Sequence, residues 1–540
     1  MKTRDFLWGL LACAAFSACS SDEVVKNDNL EKSKSYMRVS FNIADDAASR
    51  NARGVTDGGF AEGTETNIIT GNTIFLFYTA SGDYVTSGTL VDTPTLEGNE
   101  TVMGGDHSDN VNSKYDTDAV VVLDCTEVLK NNITQMLTVA NIRETASLQN
   151  KVLADALDEI ALVSYNSPSG IIIDGETGFL MSTSVFVEGD EIKNVTPIDP
   201  EDNFAESEEE AKSNEKAVEV YLERASAKVE VAKADDFTSS VTEKVDGTEE
   251  VLEITIAGWT LNGTVKDTYI VKQMEDDWIA NDPFDKWNYA LNHRSYWAKS
   301  TNWSNTSGKP DEDYVLDYKS WDEVGTSLGI PEYCFENTIS GTPSVTDHNI
   351  TTVLVKAYFG DGYTDYYEFA GDFYTTAEYK KLILAQLASA GYKKSPDGTT
   401  FVALESGDVM FDTNGLSGVK VAMLPSNTYA KDESFVETTD VNTYVNALPL
   451  ITTVKGYKNG ACRYQIPIEH LHSIDPENPK YGVVRNHWYK LTINKITKIG
   501  TAVYDPDVPN TDLDEEELTY YMAVKLHVLS WHMVNQNVTL

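Results

Sequence analysis

Alternation of apolar and polar residues is the feature that most restricts the fold of this chain. It recurs in short segments separated by turn residues, and each segment predicts a half-buried β-strand. The most strand-like segments are 72–80, 119–124, 135–142, 217–233, 253–261, 352–360 and 489–496. Two segments, 146–162 and 376–391, have the apolar spacing of helices, and the second ends at Gly391, a suitable C-cap. Many strands with few helices predict an all-β protein of β-sandwiches, with short helices in the crossovers.

The length fits two large domains. The chain has 540 residues, of which 41% are apolar, and all-β domains often exceed the average domain size. We place the domain limit near residue 232, at the end of the strand predicted over 217–233, and we expect the acidic segment 199–217 to be an exposed loop. The predicted parts are an N-terminal sandwich over 54–232, a C-terminal sandwich over 233–504, and a linker with C-terminal strands over 505–540.

The charge excludes two classes of partner. With 42 basic and 85 acidic residues, the formal net charge is −43. Nucleic acids and anionic membrane surfaces need basic patches, so neither is expected to bind the body of this chain. No D-x-[DN]-x-[DN]-G loop for calcium is present in the sequence, and no cofactor is predicted.

The first residues predict a bacterial lipoprotein signal. Lys2 and Arg4 precede an apolar run over 6–16 that is too short to span a bilayer. Ala18 then precedes Cys19, whose thiol is predicted to be acylated after removal of residues 1–18. Cys13 offers an alternative lipidation site, although it would leave an unusually short signal.

The remaining cysteines predict neither a disulfide framework nor a zinc site. Cys125, Cys334 and Cys462 are far apart in the sequence, and the chain contains no C-x-x-C motif. We therefore expect buried free thiols.

An alternating strand lies directly before a polar loop with two arginines. Its apolar positions are Met37, Val39, Phe41 and Ile43. Arg50 and Arg53 follow in a segment that is expected to be exposed to proteases. Cleavage there would release the first strand and leave an apolar groove with unpaired backbone groups. We therefore treat residues 19–53 as a propeptide.

The C-terminal arm repeats the pattern of that strand. Tyr521 precedes it as Tyr36 precedes the first one, and its apolar positions are Met522, Val524, Leu526 and Val528. Two strands with one pattern fit the same slot, so the arm of another copy is expected to fill the vacated groove by β-augmentation. Repeated head to tail, this contact makes a filament. Substitutions at Lys525 and His527, between the apolar positions, are expected to be tolerated. The alternative is that both segments are ordinary strands of one domain.

Taken in order, the motifs resemble those of the fimbrillins of Bacteroidota, the type V pilins. The resembling motifs are KSYMRVSF, SRNARG, LTVANI, GFLMSTS, VYLERASAKVEV, YGVVRNHWYKLTINKI with Val484, Arg485, Asn486 and Tyr489, and the C-terminal VKLHVLSW and VTL. Residues 265–345 carry little that matches.

The resemblance implies two tandem transthyretin-like β-sandwich domains and an extended C-terminal donor arm typical of a shaft subunit. It implies an outer-membrane lipoprotein precursor, anchored through Cys19, that an Arg-specific protease trims at Arg53 or at Arg50. The mature form would be extracellular, in a fimbria that supports adhesion and biofilm formation. Its partners would be copies of itself, anchor and tip subunits, and surface ligands on host or bacteria.

Metal binding, sugar binding and catalysis have weaker support in the sequence. His470 and His472, with Glu469 or His487, offer a possible metal site, although a surface histidine pair is more common. The aromatic residues Tyr296, Trp297 and Trp303 suit sugar stacking, which makes a monomeric glycan-binding lipoprotein the alternative function. The sequence contains no H-E-x-x-H or phosphate-loop motif, and no enzyme is predicted.

Overall fold

The computed structural model describes most of the body of the chain and its last strand. The described residues are 33–45, 69–92, 97–98, 112–144, 147–162, 166–173, 176–188, 191–214, 217–274, 298–304, 316–340, 349–387, 392–395, 397, 399–413, 419–423, 428–429, 443–470, 481–505 and 532–539.

Strands dominate these residues, which confirms the predicted all-β class. The first strands are β1 (Ser33–Asp45), β2 (Ile74–Tyr78), β3 (Tyr84–Leu90), β4 (Glu97–Gly98), β5 (Asn112–Cys125), β6 (Gln135–Ala140), β7 (Ile160–Leu162), β8 (Ile171–Ile173), β9 (Glu176–Gly178), β10 (Met181–Thr183), β11 (Phe186–Glu188), β12 (Glu191–Lys193), β13 (Thr196–Pro197), β14 (Phe204–Ala205) and β15 (Val218–Arg224). The later strands are β16 (Ser226–Thr238), β17 (Ser240–Val245), β18 (Thr248–Asn262), β19 (Thr264–Val265), β20 (Asp267–Tyr269), β21 (Leu316–Asp317), β22 (Glu332–Phe335), β23 (Thr352–Phe359), β24 (Tyr366–Phe369), β25 (Asp372–Thr375), β26 (Tyr392–Lys394), β27 (Phe401–Ala403), β28 (Met410–Thr413), β29 (Val419–Met423), β30 (Thr428–Tyr429), β31 (Lys455–Tyr457), β32 (Ala461–Pro467), β33 (His487–Lys495), β34 (Thr501–Ala502) and β35 (His532–Thr539).

The helices are short and lie in the connections. They are α1 (Glu127–Lys130), α2 (Leu153–Leu157), α3 (Pro200–Asn203), α4 (Glu208–Ser213), α5 (Thr376–Gln386) and α6 (Pro449–Thr452), with 3-10 turns at Trp321–Glu323, Ser406–Asp408 and Lys458–Gly460. No helix in the described part of the chain is long and apolar enough to cross a membrane.

The N-terminal sheet closes on itself. Its strands follow the order β1, β15, β10, β6, β2, β3 and β5, and β5 pairs again with β1. The short strands β14, β13 and β4 extend this ring at β1, β6 and β5. Apolar side chains of the ring strands fill its interior, among them Phe75, Phe77, Val121 and Met136. Every strand of the ring therefore has a hydrogen-bonded neighbour on both sides.

The C-terminal part is a β-sandwich. One sheet has the order β22, β16, β33 and β35, and the other contains eight strands around β18, β23 and β32. A core between the two sheets includes Val229 of β16, Leu491 of β33, Trp259 of β18 and Val355 of β23. The alternation in these strands places their apolar residues in this layer.

Described residues within the segment 265–345, which carried little resemblance, connect the N-terminal ring to the C-terminal sandwich. Here β20 pairs with β7 of the N-terminal half. Val265, Ile270 and Phe335 pack with Leu76 and Val139 on the outer face of the ring. The two halves consequently share an apolar core.

Two sequence-based boundaries differ from the structure. The helix predicted over 146–162 is reduced to α2, because residues 160–162 form a strand that pairs with β20. The segment 217–233 is not one strand. It leaves the N-terminal ring at Ala225 and continues as β16 in the other sheet, close to the domain limit predicted near residue 232.

Candidate functional site

The first strand, β1, closes the ring of the N-terminal sheet. Along one edge it pairs antiparallel with β5, from Ser33 opposite Cys125 to Asp45 opposite Asn112. Along the other edge it pairs with β14 and then in parallel with β15, from Val39 opposite Val218 to Ile43 opposite Leu222. Removing β1 would leave one edge each of β5 and β15 without a partner.

The inner face of β1 completes the core of the ring. Met37 and Val39 are 0% exposed and pack with Phe75, Val121 and the apolar residues of β15. Phe41 and Ile43 occupy the next alternate register positions, opposite Val220 and Leu222. Burial of two such side chains is worth roughly 1.5–3 kcal/mol each, so the interior of the ring depends on an occupant in this slot.

An acidic connection covers part of the outer face of β1. Tyr36 packs against Val120, Ala205 and Ala211, the last of which lies on α4. The Arg38 guanidinium donates to the Asn214 carbonyl at 2.8 Å. We call this covering segment, residues 199–214, the flap. The sequence predicted an exposed loop here, and the structure shows that its apolar side faces β1.

The last strand, β35, lies on the C-terminal sandwich. It pairs in parallel with β33, from His487 opposite His532 to Lys495 opposite Thr539. The predicted donor residues Met522, Val524, Leu526 and Val528 lie outside the described residues, as do Cys19, Arg50 and Arg53. In this chain, then, the end of the C-terminal arm pairs with its own C-terminal domain.

Sequence reasoning missed a buried polar cluster between the two halves. Arg485 is 0% exposed; its guanidinium contacts the Glu336 carboxylate at 3.3 Å and donates to the Tyr269 carbonyl at 2.8 Å. Burial raises the pKa of Glu336, and the Arg485 charge opposes that shift. Nearby, the Arg224 guanidinium donates to the Asn486 amide oxygen at 2.8 Å. Arg485 and Asn486 stand in the motif YGVVRNHWY, but their partners are far apart in the sequence.

In a second motif, a buried asparagine forms hydrogen bonds with backbone groups that are distant in the sequence. Asn141 of LTVANI is fully buried with φ +59°. Its amide oxygen accepts from the Thr70 N–H at 2.9 Å, and its amide nitrogen donates to the Phe179 carbonyl at 2.8 Å. A Cβ on Gly178 would meet the Asn141 side chain at 2.7 Å. LTVANI and GFLMSTS therefore lie together because Asn141 and Gly178 fit each other.

The possible metal site and the thiols are buried structural groups. His470 and His487 pack edge to face at 4.8 Å, and His470 Nδ1 lies 2.7 Å from the Tyr489 hydroxyl. His472 lies outside the described residues, among which no group of three or more potential metal ligands occurs. The cysteines Cys125, Cys334 and Cys462 are buried, and none of the three forms a disulfide. Trp303 is half-buried, whereas Tyr296 and Trp297 are not described.

Comparison with known proteins identifies the C-terminal domain. Residues 455–537, from β31 into β35, match the family model "Major fimbrial subunit protein type IV, Fimbrillin, C-terminal". The resemblance to fimbrillins is thereby confirmed over this part of the chain. This part of the chain is therefore similar to the C-terminal domain of major fimbrial subunit proteins.

Two solved structures share a weaker similarity. A putative cell adhesion protein from Parabacteroides distasonis is 13% identical with a TM-score of 0.31, over 64% of this chain and 79% of that one. The tip fimbrial protein Mfa3 from Porphyromonas gingivalis, truncated at its C-terminus, is 10% identical with a TM-score of 0.30, over 85% of this chain and 94% of that one. TM-scores of this size do not establish a common fold. No curated protein sequence matches the chain significantly.

Proposed function

We propose that the protein is a structural subunit of a cell-surface fimbria that assembles by exchanging its first strand for the C-terminal segment of another copy. The observation that carries this proposal is the position of β1, which closes the ring with hydrogen bonds along both edges. Both partners lie far along the chain, so no hairpin connects β1 to either neighbour.

The same proposal includes export and maturation. The precursor is anchored in the outer membrane by a lipid on Cys19, and an Arg-specific protease cuts at Arg53 or Arg50. Anchor and tip subunits complete the fimbria, which supports adhesion and biofilm formation. Loss of β1 exposes the Met37 and Val39 sites and two strand edges, and a strand with the Met522 to Val528 pattern restores both.

Blocking cleavage tests the proposal. We expect the double variant Arg50→Ala, Arg53→Ala to remain a lipid-anchored monomer, because β1 stays in its slot. The parent protein should give a ladder in electrophoresis of unheated surface extracts, with mature chains that begin at Gly54 or Asn51. The exposed Arg143 provides a control, since Arg143→Ala should behave as the parent does. Polymer built from chains that begin at Cys19 would overturn the proposal.

A further inference from the structure

The inner face of the β1 slot leaves the register of an incoming strand undetermined. Apolar positions recur every second residue, so a strand displaced by two residues presents the same kind of side chain to the core. Register must then be determined by the outer face, where two positions differ from the others.

The first position is the socket of Tyr36. Its walls are Val120 of β5, Ala205 of β14 and Ala211 of α4, which are 6%, 6% and 0% exposed. Tyr36 is half-buried among them. When β1 leaves, this apolar socket loses its occupant. Val120 stays in β5, whereas β14 loses the strand with which it pairs and can pair again with an incoming strand.

The second position is that of Ser40, which lies between two acidic residues. Its register partner on β15 is Glu219, and its register partner on β5 is Asp118. Glu219 is exposed, and its carboxylate accepts a hydrogen bond from the Tyr221 hydroxyl at 2.6 Å. In the precursor a neutral residue therefore stands at a position flanked by acidic residues on both neighbouring strands.

We propose that Tyr521 of a second copy fills the Tyr36 socket and that its Lys525 takes the Ser40 position, beside Glu219. This inference rests on the proposed function and adds its register. Tyr521 stands directly before Met522 as Tyr36 stands before Met37, and Lys525 follows Tyr521 by the same interval that separates Ser40 from Tyr36. Only one register places Tyr521 in the socket and Lys525 beside Glu219 at the same time, because a shift by two residues moves both side chains away from these positions.

The charge at this position also favours exchange over return of β1. Opposite charges on directly facing residues stabilise a strand pair, whereas Ser40 contributes no such pair. A Lys525 between Glu219 and Asp118 thus gives the incoming strand an advantage that β1 lacks. Under this inference a reversal of charge at Lys525 weakens polymerisation, whereas alternation alone predicts tolerance there.

A charge exchange tests this inference. Trimmed Lys525→Glu protein should polymerise about two- to fivefold less than the parent at low salt, which is the range of exposed ion pairs. Glu219→Lys alone should show a similar loss, and the combination of both substitutions should recover part of that loss, because Asp118 still faces position 525. The differences should shrink at high salt, because salt screens exposed charges. Additive losses in the double variant, with a polymerising parent, would overturn the inference and leave the proposed function intact.

Cross-linking reports the register directly. A chain with Lys525→Cys and Glu219→Cys should form a covalent ladder under oxidising conditions, whereas His527→Cys with Glu219→Cys should not. Cys334 and Cys462 are buried, and Cys125→Ser is included in both chains because Cys125 lies opposite Ser33 of β1 and loses that neighbour on trimming. A covalent ladder from the His527→Cys pair alone would show a different register and overturn the inference. A parent that forms no polymer at all would remove the proposed function itself.

Discussion

At the scale of single residues, burial controls charge in the C-terminal sandwich. Burial raises the pKa of Glu469 from its ordinary 4.5 to about 7, and it lowers the pKa of His487 from 6.5 to about 3. In both cases the low-polarity surroundings favour the neutral form. The two groups affect stability in opposite directions as the pH changes.

The pH dependence of each contribution to stability follows from the protons that the folded and the unfolded states bind. Folded Glu469 holds its proton more tightly than unfolded Glu469 does, so the stability it contributes below pH 4.5 is lost as the pH rises to about 7. For His487 the unfolded chain binds the proton more tightly, so stability is lost as the pH falls below 6.5 towards 3. The two contributions largely offset each other between pH 4.5 and 6.5.

Substitution of Glu469 separates these effects. Relative to the parent, Glu469→Gln should gain about 3 kcal/mol of unfolding free energy between pH 4 and pH 8, because the variant lacks the group that loses stability there. Urea unfolding at several pH values measures the difference between the two proteins. Parallel curves for variant and parent across this range would contradict the expected protonation of Glu469.

At the scale of elements, the proposed donor strand predicts an alternating response. Leu526→Asp should abolish polymer, because an unpaired carboxylate in the apolar slot of a neighbour costs several kcal/mol. The precursor should still fold, since its own β1 fills the slot. Ladder formation after trypsin-type trimming of purified precursor measures the effect.

A neutral change at a neighbouring outer position serves as the control. His527→Gln should polymerise as the parent does, because the position alternates with the apolar ones. If Leu526→Asp polymerises as well as His527→Gln, the segment does not enter the slot.

The sequence predicted strands better than it predicted their partners. The alternation over 72–80, 135–142 and 352–360 corresponds to β2, β6 and β23. The helical spacing gave a wrong prediction at 160–162, where pairing with β20 outweighs the local helical pattern. Alternation gave a wrong prediction at Ala225, because the apolar pattern runs through the change of sheet without a turn residue. Local periodicity contains no information about contacts with residues far along the chain.

For the candidate site, too, the sequence predicted buried positions but not the elements that contact them. Alternation identified the buried positions Met37 and Val39 of β1. It gave no sign that β1 closes a ring or that the flap covers Tyr36, since both depend on β5, β14 and α4 meeting at one place. Arg485 was noticed only as a member of a motif, because Glu336 and residues 268–270 approach it only in the folded protein.

At the scale of the whole molecule, Arg485 links the two halves. It belongs to the C-terminal sandwich and donates to the backbone carbonyls of Tyr269 and Ile270, which lie in and next to β20. β20 in turn pairs with β7, and the Ser182 hydroxyl of the ring donates to the Ile270 carbonyl at 2.8 Å. A contact chain of polar groups therefore crosses the junction.

Removal of Arg485 should uncouple the halves. We expect Arg485→Ala to lose about 3–5 kcal/mol, because it leaves the Glu336 charge buried without its partner. Calorimetry should then show two separate transitions where the parent shows one. The exposed Arg143→Ala serves as the control and should leave a single transition. A single transition in Arg485→Ala, at the parent's temperature, would exclude this role.

The closed ring determines when the protein becomes able to associate. While β1 is in place, each ring strand has both edges occupied, so concentrated precursor presents no open ring edge for sheet-to-sheet aggregation. Under the proposed function, competence then arises from cleavage and not from folding. The supply of growing subunits follows the activity of the protease, and a cell can store precursor on its surface until that activity appears.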